Sequence, residues 1–396
     1  MTFTKTHFVG YLGFVSLGLA NTIIGPAIPS LINEFGMGFS LVGVLFFVQG
    51  VFYFISVLSA GVASDFFGKK PFLLIGATLM ASGLIAFILG RNEIILFFSV
   101  ALIGTGLGAL DGGLNGLFID ISGDQKGIGL GLLHMCFGIG ALSGPLIFTF
   151  ASTSLLNWRL AFLFTACFPI LFFFLLFPIH LSKVDNEETI KLSDVAMLLK
   201  NRIIIQLILL LFVYVGAEQV IAGWLPTYLI NTRNVSQSIG SFTLSLFFIG
   251  LTIGRLLTGL ISEKVGYSRT LVLLSLGSAV FFLLIYTIQA INPIIILFIL
   301  LGFFLSGIYP TVMAQAGSIF PQYSGTISGV LTAAGGIGGM LMPLGMGIAS
   351  EYAGLHVGLF LPLVSTIIMF FLAVLSFNYI KKRKQIQSPG LTKVEP

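Results

Sequence analysis

Charge is scarce in this sequence. Of its 396 residues 8% are Asp, Glu, Lys or Arg, against roughly a quarter in a soluble domain, and that shortage excludes a water-soluble globular fold. Cysteine is almost missing: Cys136 and Cys167 are the two, which argues against a disulfide framework or a cysteine metal site. The sequence has no nucleotide-binding loop, nucleophile constellation or metal-ligand cluster, so neither an enzyme nor a resident metal or cofactor is expected. What fills the chain is apolar: 57% hydrophobic residues, 40 Phe among them, and a mean hydropathy of +1.07.

The few charges fall in short clusters between apolar stretches of about twenty residues or more, the length that crosses a bilayer core. Twelve such stretches are predicted, near residues 8–32, 40–64, 71–90, 94–118, 127–151, 157–181, 203–230, 236–262, 270–290, 293–317, 324–350 and 356–380. Inside hydrocarbon every backbone N–H and C=O must be paired within its segment or in a closed barrel. These runs are too long and continuous for barrel strands of about ten residues with alternating polarity, so helices are expected. The first stretch is read as a span and not a signal peptide, because it is long, contains Asn21 and Pro26, and lacks a small-residue cleavage site before the next span. The fold class expected is an all-α, polytopic membrane protein.

Lys and Arg orient it. If the chain starts inside, the cytoplasmic segments hold 15 of the 19 basic residues; Arg91, Arg159 and Arg233 lie opposite, and Arg255 lies inside a span. The positive-inside rule then puts both termini in the cytoplasm of a plasma-membrane protein. The basic run at 381–384 reads as an anchor for anionic headgroups, not as a nucleic-acid patch. The lipid bilayer is the expected large partner, nucleic acid is not, and a monomer is expected.

The chain also repeats itself. A shift of 198 residues pairs Gly61 with Gly259, Ser64 with Ser262, Asp65 with Glu263, Gly68 with Gly266, Gly104 with Gly302, Gly138 with Gly336 and Pro145 with Pro343. This predicts a six-helix half at 1–181, a polar cytoplasmic linker at 182–202, a second six-helix half at 203–380 and a basic tail at 381–396. Parallel halves of this kind place a substrate cavity between them near the bilayer midplane, and rocking alternates its access.

The segment Gly61-Val-Ala-Ser-Asp65-Phe-Phe-Gly68-Lys69-Lys70, on the first predicted cytoplasmic loop, resembles the signature of the major facilitator superfamily, and Gly259 to Arg269 is similar to its weaker second copy. Glycines let two helices approach closely, and an acid at a helix end meets cationic or N-terminal partners across the loop. The resemblance covers essentially the whole chain. It implies twelve transmembrane helices in two pseudo-symmetric halves, with a cytoplasmic conformational gate at Gly61, Asp65, Gly68, Lys69, Lys70, Glu263 and Arg269. Gly and Pro are dense in the fifth and eleventh stretches, as sliding helices require. Gly138 to Pro145 partly resembles the Gly-Pro motif of proton-driven antiporters, but Leu146-Ile147-Phe148 stands where that motif has glycines.

Specificity must come from the few polar groups within the spans, where an ionisable residue tends to mark a pathway. Three are charged: Asp111, Glu218 and Arg255. Asn115 stacks one turn from Asp111 on the same helical face, and a carboxylate in a poorly hydrated cavity exchanges its charge for a proton. Asp111 is therefore read as a proton carrier, or else as a tie between helices. Glu218, Gln219 and Trp224 surround Gly223 and Pro226, which predict a helix break that frees backbone groups toward a cavity. Carboxylates and amides bond hydroxyls directionally, and an aromatic face packs on a pyranose, so this cluster reads as a sugar site. An internal salt bridge for Glu218 and an interfacial anchor for Trp224 are the plainer readings. His134 lies at a depth similar to Asp111 on the adjacent span, where the two could share a proton or a substrate hydroxyl. Arg255 is expected to snorkel to the cytosol. Tyr309, beside Pro310, offers a hydroxyl at a kink or simply packs.

These segments resemble the fucose:proton symporter family, and within it the glucose/mannose:proton symporter branch. The resemblance matches Asp111 to the family's acid in span 4, Asn115 to the amide that follows it, Glu218 to its span-7 acid and His134 to a polar sugar-contact position in span 5. Together with the reading of the residues, Asp111, Glu218 and His134 are expected in proton coupling, and Asn21, Asn115, His134, Glu218, Gln219, Trp224 and Tyr309 in substrate binding. The first span has Asn21 where some members have an acid. The implied function is secondary active uptake of a hexose or similar sugar by proton symport and alternating access, with sodium the other candidate ion. A proton-driven exporter of drugs or amphipaths is the alternative on the same architecture.

Overall fold

A computed structural model describes residues 4–122, 126–181, 200–320 and 323–387. Most of the 182–202 linker and the end of the basic tail therefore lie outside the described residues. Among the described residues, twelve helices are long and apolar enough to cross a membrane. Span 1 is Lys5–Phe35, span 2 Phe39–Ser59, span 3 Lys69–Leu89, span 4 Glu93–Ile121, span 5 Gly129–Ser154 and span 6 Arg159–Leu176. Span 7 is Arg202–Arg233, span 8 Gln237–Val265, span 9 Tyr267–Thr287, span 10 Ile291–Ile319, span 11 Ile327–Ala353 and span 12 Leu355–Lys382. Each overlaps a predicted stretch. The outer surface is apolar, with Phe8, Ile94, Phe174 and Leu260 largely exposed, as suits helices that face lipid tails.

Proline chemistry decides where the helices break. Span 1 divides at Ile23 into Lys5–Thr22 and Ile24–Phe35. Pro26 and Pro29 lack the N–H groups that would bond the carbonyls of Thr22 and Gly25. Span 10 divides at Gly307, three residues before Pro310. Span 7 departs from expectation: it stays one helix, Arg202–Arg233, through Gly223 and Pro226. The carbonyl that Pro226 leaves free belongs to Ala222, and it is pressed against Gly25 of span 1, where an added Cβ would sit 2.2 Å from that oxygen. In span 5, which also stays continuous, the carbonyl freed by Pro145 is that of Ala141, and the Thr22 hydroxyl donates to it at 3.0 Å.

The repeat is visible as geometry. Gly68 and Gly266 turn spans 2–3 and 8–9 with φ of +81° and +91°, a region open chiefly to glycine. A Cβ on Gly104 would lie 2.2 Å from the Gln49 carbonyl oxygen, and one on Gly302 2.2 Å from that of Phe247; 49 + 198 = 247, so both members of the crossing recur. Packing of span 1 on 5, 2 on 4, and 3 on 4 and 6 returns as 7 on 11, 8 on 10, and 9 on 10 and 12. The halves meet where span 2 packs on 11, span 5 on 8, and the second part of span 1 on 7 and 8.

Twelve antiparallel crossings place both ends of the described chain on one side, called here the termini face, opposite the far face. At the far face the halves interlock. Gly43 and Gly347 bring spans 2 and 11 into backbone contact, and Phe39 and Phe46 of span 2 lie 6.2 and 6.1 Å from the Trp224 ring. Gln237 donates to the Pro26 carbonyl (3.0 Å) and to Ser30 (3.1 Å), and the Ser40 N–H to Glu351 (3.3 Å). Toward the termini face, no described atom lies within 4 Å of where a Cβ would be on Gly131, Gly259, Gly317 or Gly329. Across the described residues, the contacts between the halves at this level are concentrated at the far face.

Candidate transport site in the middle of the bundle

Asp111 lies ten residues from the termini-face end of span 4, and both of its carboxylate oxygens are held by neutral donors. The Tyr53 hydroxyl of span 2 donates to Oδ2 at 2.6 Å, and the Asn115 amide donates to Oδ1 at 2.7 Å. Glycine makes this meeting possible: a Cβ at Gly108, one turn before Asp111, would lie 2.4 Å from the Tyr53 carbonyl oxygen. Spans 2 and 4 can therefore approach closely enough for the tyrosine to reach the acid.

The second cluster belongs to the other half. Glu218 Oε1 of span 7 lies 3.6 Å from an Arg255 guanidinium nitrogen of span 8, and their side chains are 10% and 22% accessible. Tyr214, one turn before Glu218, lies beside both charges, and its ring centroid is 6.4 Å from that of Tyr309. The Tyr309 hydroxyl is 3.0 Å from that of Thr332 on span 11. Tyr309 is within electrostatic reach of Asp111, Arg255 and Glu218 together, so it stands between the two clusters.

Tyr53, Asp111, Asn115, His134, Gln219, Arg255, Tyr309 and Thr332 sit deep in the bundle and yet are only partly buried. Side chains surrounded by protein but still reachable by water line an internal space. Asn21, just before the break in span 1, has the same partial exposure. Glu218 and Arg255 are opposite charges that compensate each other, whereas Asp111 has Tyr53 and Asn115 as its hydrogen-bond partners and no cation among them. A charge in such a setting is costly, and a proton removes it.

Several expectations need correction. Arg255 does not snorkel: ten residues, about 15 Å of helix, separate it from the end of span 8, and the nearer partner is Glu218. His134 is not paired with Asp111. Its ring meets Phe14 edge-on at 5.3 Å, and its charged neighbour is Arg255 across the contact between the halves. Similar depth did not mean shared partners: Asp111 meets Tyr53 and Asn115, and His134 meets Phe14 and Arg255. Trp224 is 1% exposed and its indole N–H donates to the Pro343 carbonyl at 3.2 Å. It joins spans 7 and 11 behind the site and is not an interfacial anchor. Gln219 packs beside Gly339 of span 11.

The gate residues are placed less closely together. The side chains of 60–67, with Gly61 and Asp65, lie outside the described residues. Lys69 bonds the Asp120 carboxylate and the Gly116 carbonyl, and Lys70 the Phe177 carbonyl at 2.7 Å. Both lysines thus tie span 3 to its neighbours within one half. Glu263 and Arg269 are exposed at the termini face.

Tyr53, Tyr214 and Thr332 were missed from sequence. For Thr332 a signal existed: 134 + 198 = 332 and 111 + 198 = 309, so Thr332 and Tyr309 are the repeat counterparts of His134 and Asp111. Tyr53 had none, since a lone tyrosine in an apolar run is ordinary.

Comparison with known proteins agrees with this architecture. The sequence pattern of the Major Facilitator Superfamily matches residues 10–244 and 207–394. The chain is 26% identical over 375 residues to the glucose/mannose transporter GlcP of Bacillus subtilis, covering 90% of this chain and 91% of that one. It is 27% identical over 139 residues to the sodium-dependent glucose transporter 1A of Mus musculus, covering 35% and 32%. The crystal structure of a D-xylose-proton symporter has the same fold, with a TM-score of 0.76 at 18% identity over 96% of this chain and 97% of that one. Twelve membrane-spanning helices, two halves that repeat each other's packing and a polar site between them are the build of a transporter and not of an enzyme: the chain belongs to the Major Facilitator Superfamily.

Proposed function

We propose that this protein takes up a hexose or similar small sugar together with an inward-moving proton, by alternating access across the plasma membrane with both termini in the cytoplasm. The observation that carries the reading is the state of Asp111, a mid-bundle carboxylate bonded by two neutral donors. With Glu218 and Arg255 cancelling each other, one proton on Asp111 makes the site neutral, and a neutral site rich in hydroxyl, amide and imidazole groups suits a polyhydroxyl solute. The similarity to a glucose/mannose transporter and the fold shared with a D-xylose-proton symporter point the same way, and the 15-to-3 basic bias supports a cytoplasmic termini face.

The cycle starts open to the outside, where Asp111 takes a proton from water. Sugar then binds among Asn21, Asn115, His134, Glu218, Gln219 and Tyr309, with Trp224 bracing span 7 from behind. The halves rock until Gly25 meets Ala222 and Gly43 meets Gly347, the far-face contacts of the present structure. Proton and sugar leave through the open cytoplasmic side.

Sugar-evoked charge movement in sodium-free proteoliposomes tests this, with a panel of hexoses and with Asp111→Asn beside the wild type. A hexose current that vanishes in the variant while sugar counterflow survives is the expected result. A current that requires sodium would replace the proton. No response to any sugar, with proton release on adding cationic amphipaths, would make the protein an exporter.

A further inference from the structure

The Tyr53 hydroxyl has two tasks that cannot be done at once. Its hydrogen points to Asp111 Oδ2 across 2.6 Å while the carboxylate is charged, since an ionised carboxylate only accepts. Asn115 donates to Oδ1, and its bond is compatible with either charge state, because Oδ1 stays an acceptor. Oδ2 is therefore where an incoming proton changes the bonding. Once Oδ2 carries a proton from water, it becomes a donor and Tyr53 an acceptor. The hydrogen of Tyr53 is then released, and this half-exposed side chain can turn it to the internal space.

From this we infer that Tyr53 links proton to substrate: protonation of Asp111 frees the Tyr53 O–H to bond a hydroxyl of the transported solute. The inference rests on the sugar reading above and deepens it. The hydrogen bonds balance. In the charged state Tyr53 O–H and Asn115 N–H donate to the carboxylate. In the neutral state Oδ2–H donates to the Tyr53 oxygen, Tyr53 O–H to the solute and Asn115 N–H to Oδ1. No donor is lost, and Tyr53 has none to offer the solute until the proton arrives. Tyr53 is thus a residue that makes affinity depend on the proton.

The groups around Asp111 leave this switch to Tyr53. Tyr309 reaches it from span 10, but its hydroxyl is bonded to Thr332 and not to Asp111. His134 on span 5 faces Phe14 and Arg255. Lys69 of span 3 is bonded to Asp120, nine residues farther along span 4, and Tyr11 of span 1 packs on Phe118, seven residues along. Arg255 is engaged by Glu218.

The test is sugar affinity measured by counterflow in proteoliposomes at an acid and an alkaline pH. Wild type is expected to bind more tightly at acid pH. Tyr53→Phe removes one oxygen atom and is expected to lose about three- to tenfold in affinity at acid pH and little at alkaline pH, so the pH dependence flattens. Asp111→Asn mimics the neutral acid and is expected to bind tightly at both values. Adding Tyr53→Phe to it should lower affinity by the same factor. Tyr309→Phe serves as contrast and should weaken binding equally at both values. The inference is overturned if Tyr53→Phe keeps wild-type affinity at acid pH, or loses it equally at both pH values as a merely structural residue would. Wild type that binds no sugar at either pH overturns the sugar reading itself, an outcome distinct from both.

Discussion

The two faces of the bundle treat the same residue type in opposite ways. At the far face glycines mark places where helices of opposite halves touch: Gly25 against the Ala222 carbonyl, Gly43 against Gly347. At the termini face no described atom comes within 4 Å of where a Cβ would be on Gly131, Gly259, Gly317 or Gly329. Small residues at helix crossings let backbones approach where there is no hydrophobic drive between helices in lipid. Glycines without a described neighbour have no such use in this state. Under the proposed alternating-access cycle they acquire one when the termini face closes.

The largest test of that comparison is Gly25→Ala. Its Cβ would meet the backbone oxygen of Ala222 at 2.2 Å, a contact that a flexible side chain cannot relieve. Overpacking of about 3 kcal/mol against the closed far face would reduce that state about a hundredfold. Uptake should collapse while sugar binding from the far side persists, and a cysteine placed at Ser30 should become reactive from that side. Full uptake by this variant would break the comparison.

A smaller effect is expected at Trp224. Trp224→Phe removes the indole N–H that the Pro343 carbonyl accepts in addition to its bond within the helix, which costs about 0.5–1.5 kcal/mol. Thermal unfolding in detergent should show that loss, and sugar affinity by counterflow should stay unchanged, since the indole braces spans 7 and 11 behind the site. A selective loss of affinity would return Trp224 to the ligand.

The smallest effect on stability, and the one that sharpens the comparison most, is Gly131→Ala. An alanine Cβ meets no described atom within 4 Å here, and alanine improves helix propensity by up to about 1 kcal/mol. Unfolding should be neutral or slightly delayed. If the termini face must close on this glycine, transport slows nonetheless; if transport is unchanged, Gly131 is not part of the alternate contact.

Much of this was legible in the chain. Span number and length follow from backbone chemistry in hydrocarbon, and the Asp111–Asn115 pair lies one turn apart, a local relation that spacing expresses. The repeat was readable because Gly68 and Gly266 need the same rare backbone angle. Illegible were the partners across helices. Tyr53 meets Asp111 from 58 positions away, Arg255 turns to Glu218 and not to the cytosol, and His134 turns from Asp111 toward Arg255. Pro226 was read as a break, yet its helix continues because span 1 covers the freed carbonyl.

By itself the sequence determined that this protein is a membrane-spanning helical transporter of two repeated halves, since hydrophobic length, charge scarcity and periodic glycine are properties of segments. Tertiary structure alone decided at which face the halves touch, which acid has a counter-charge and which has only neutral donors. Those depend on how helix faces turn toward one another, and in a bundle nearly uniform in hydropathy no local pattern fixes that rotation; packing at the glycine crossings does.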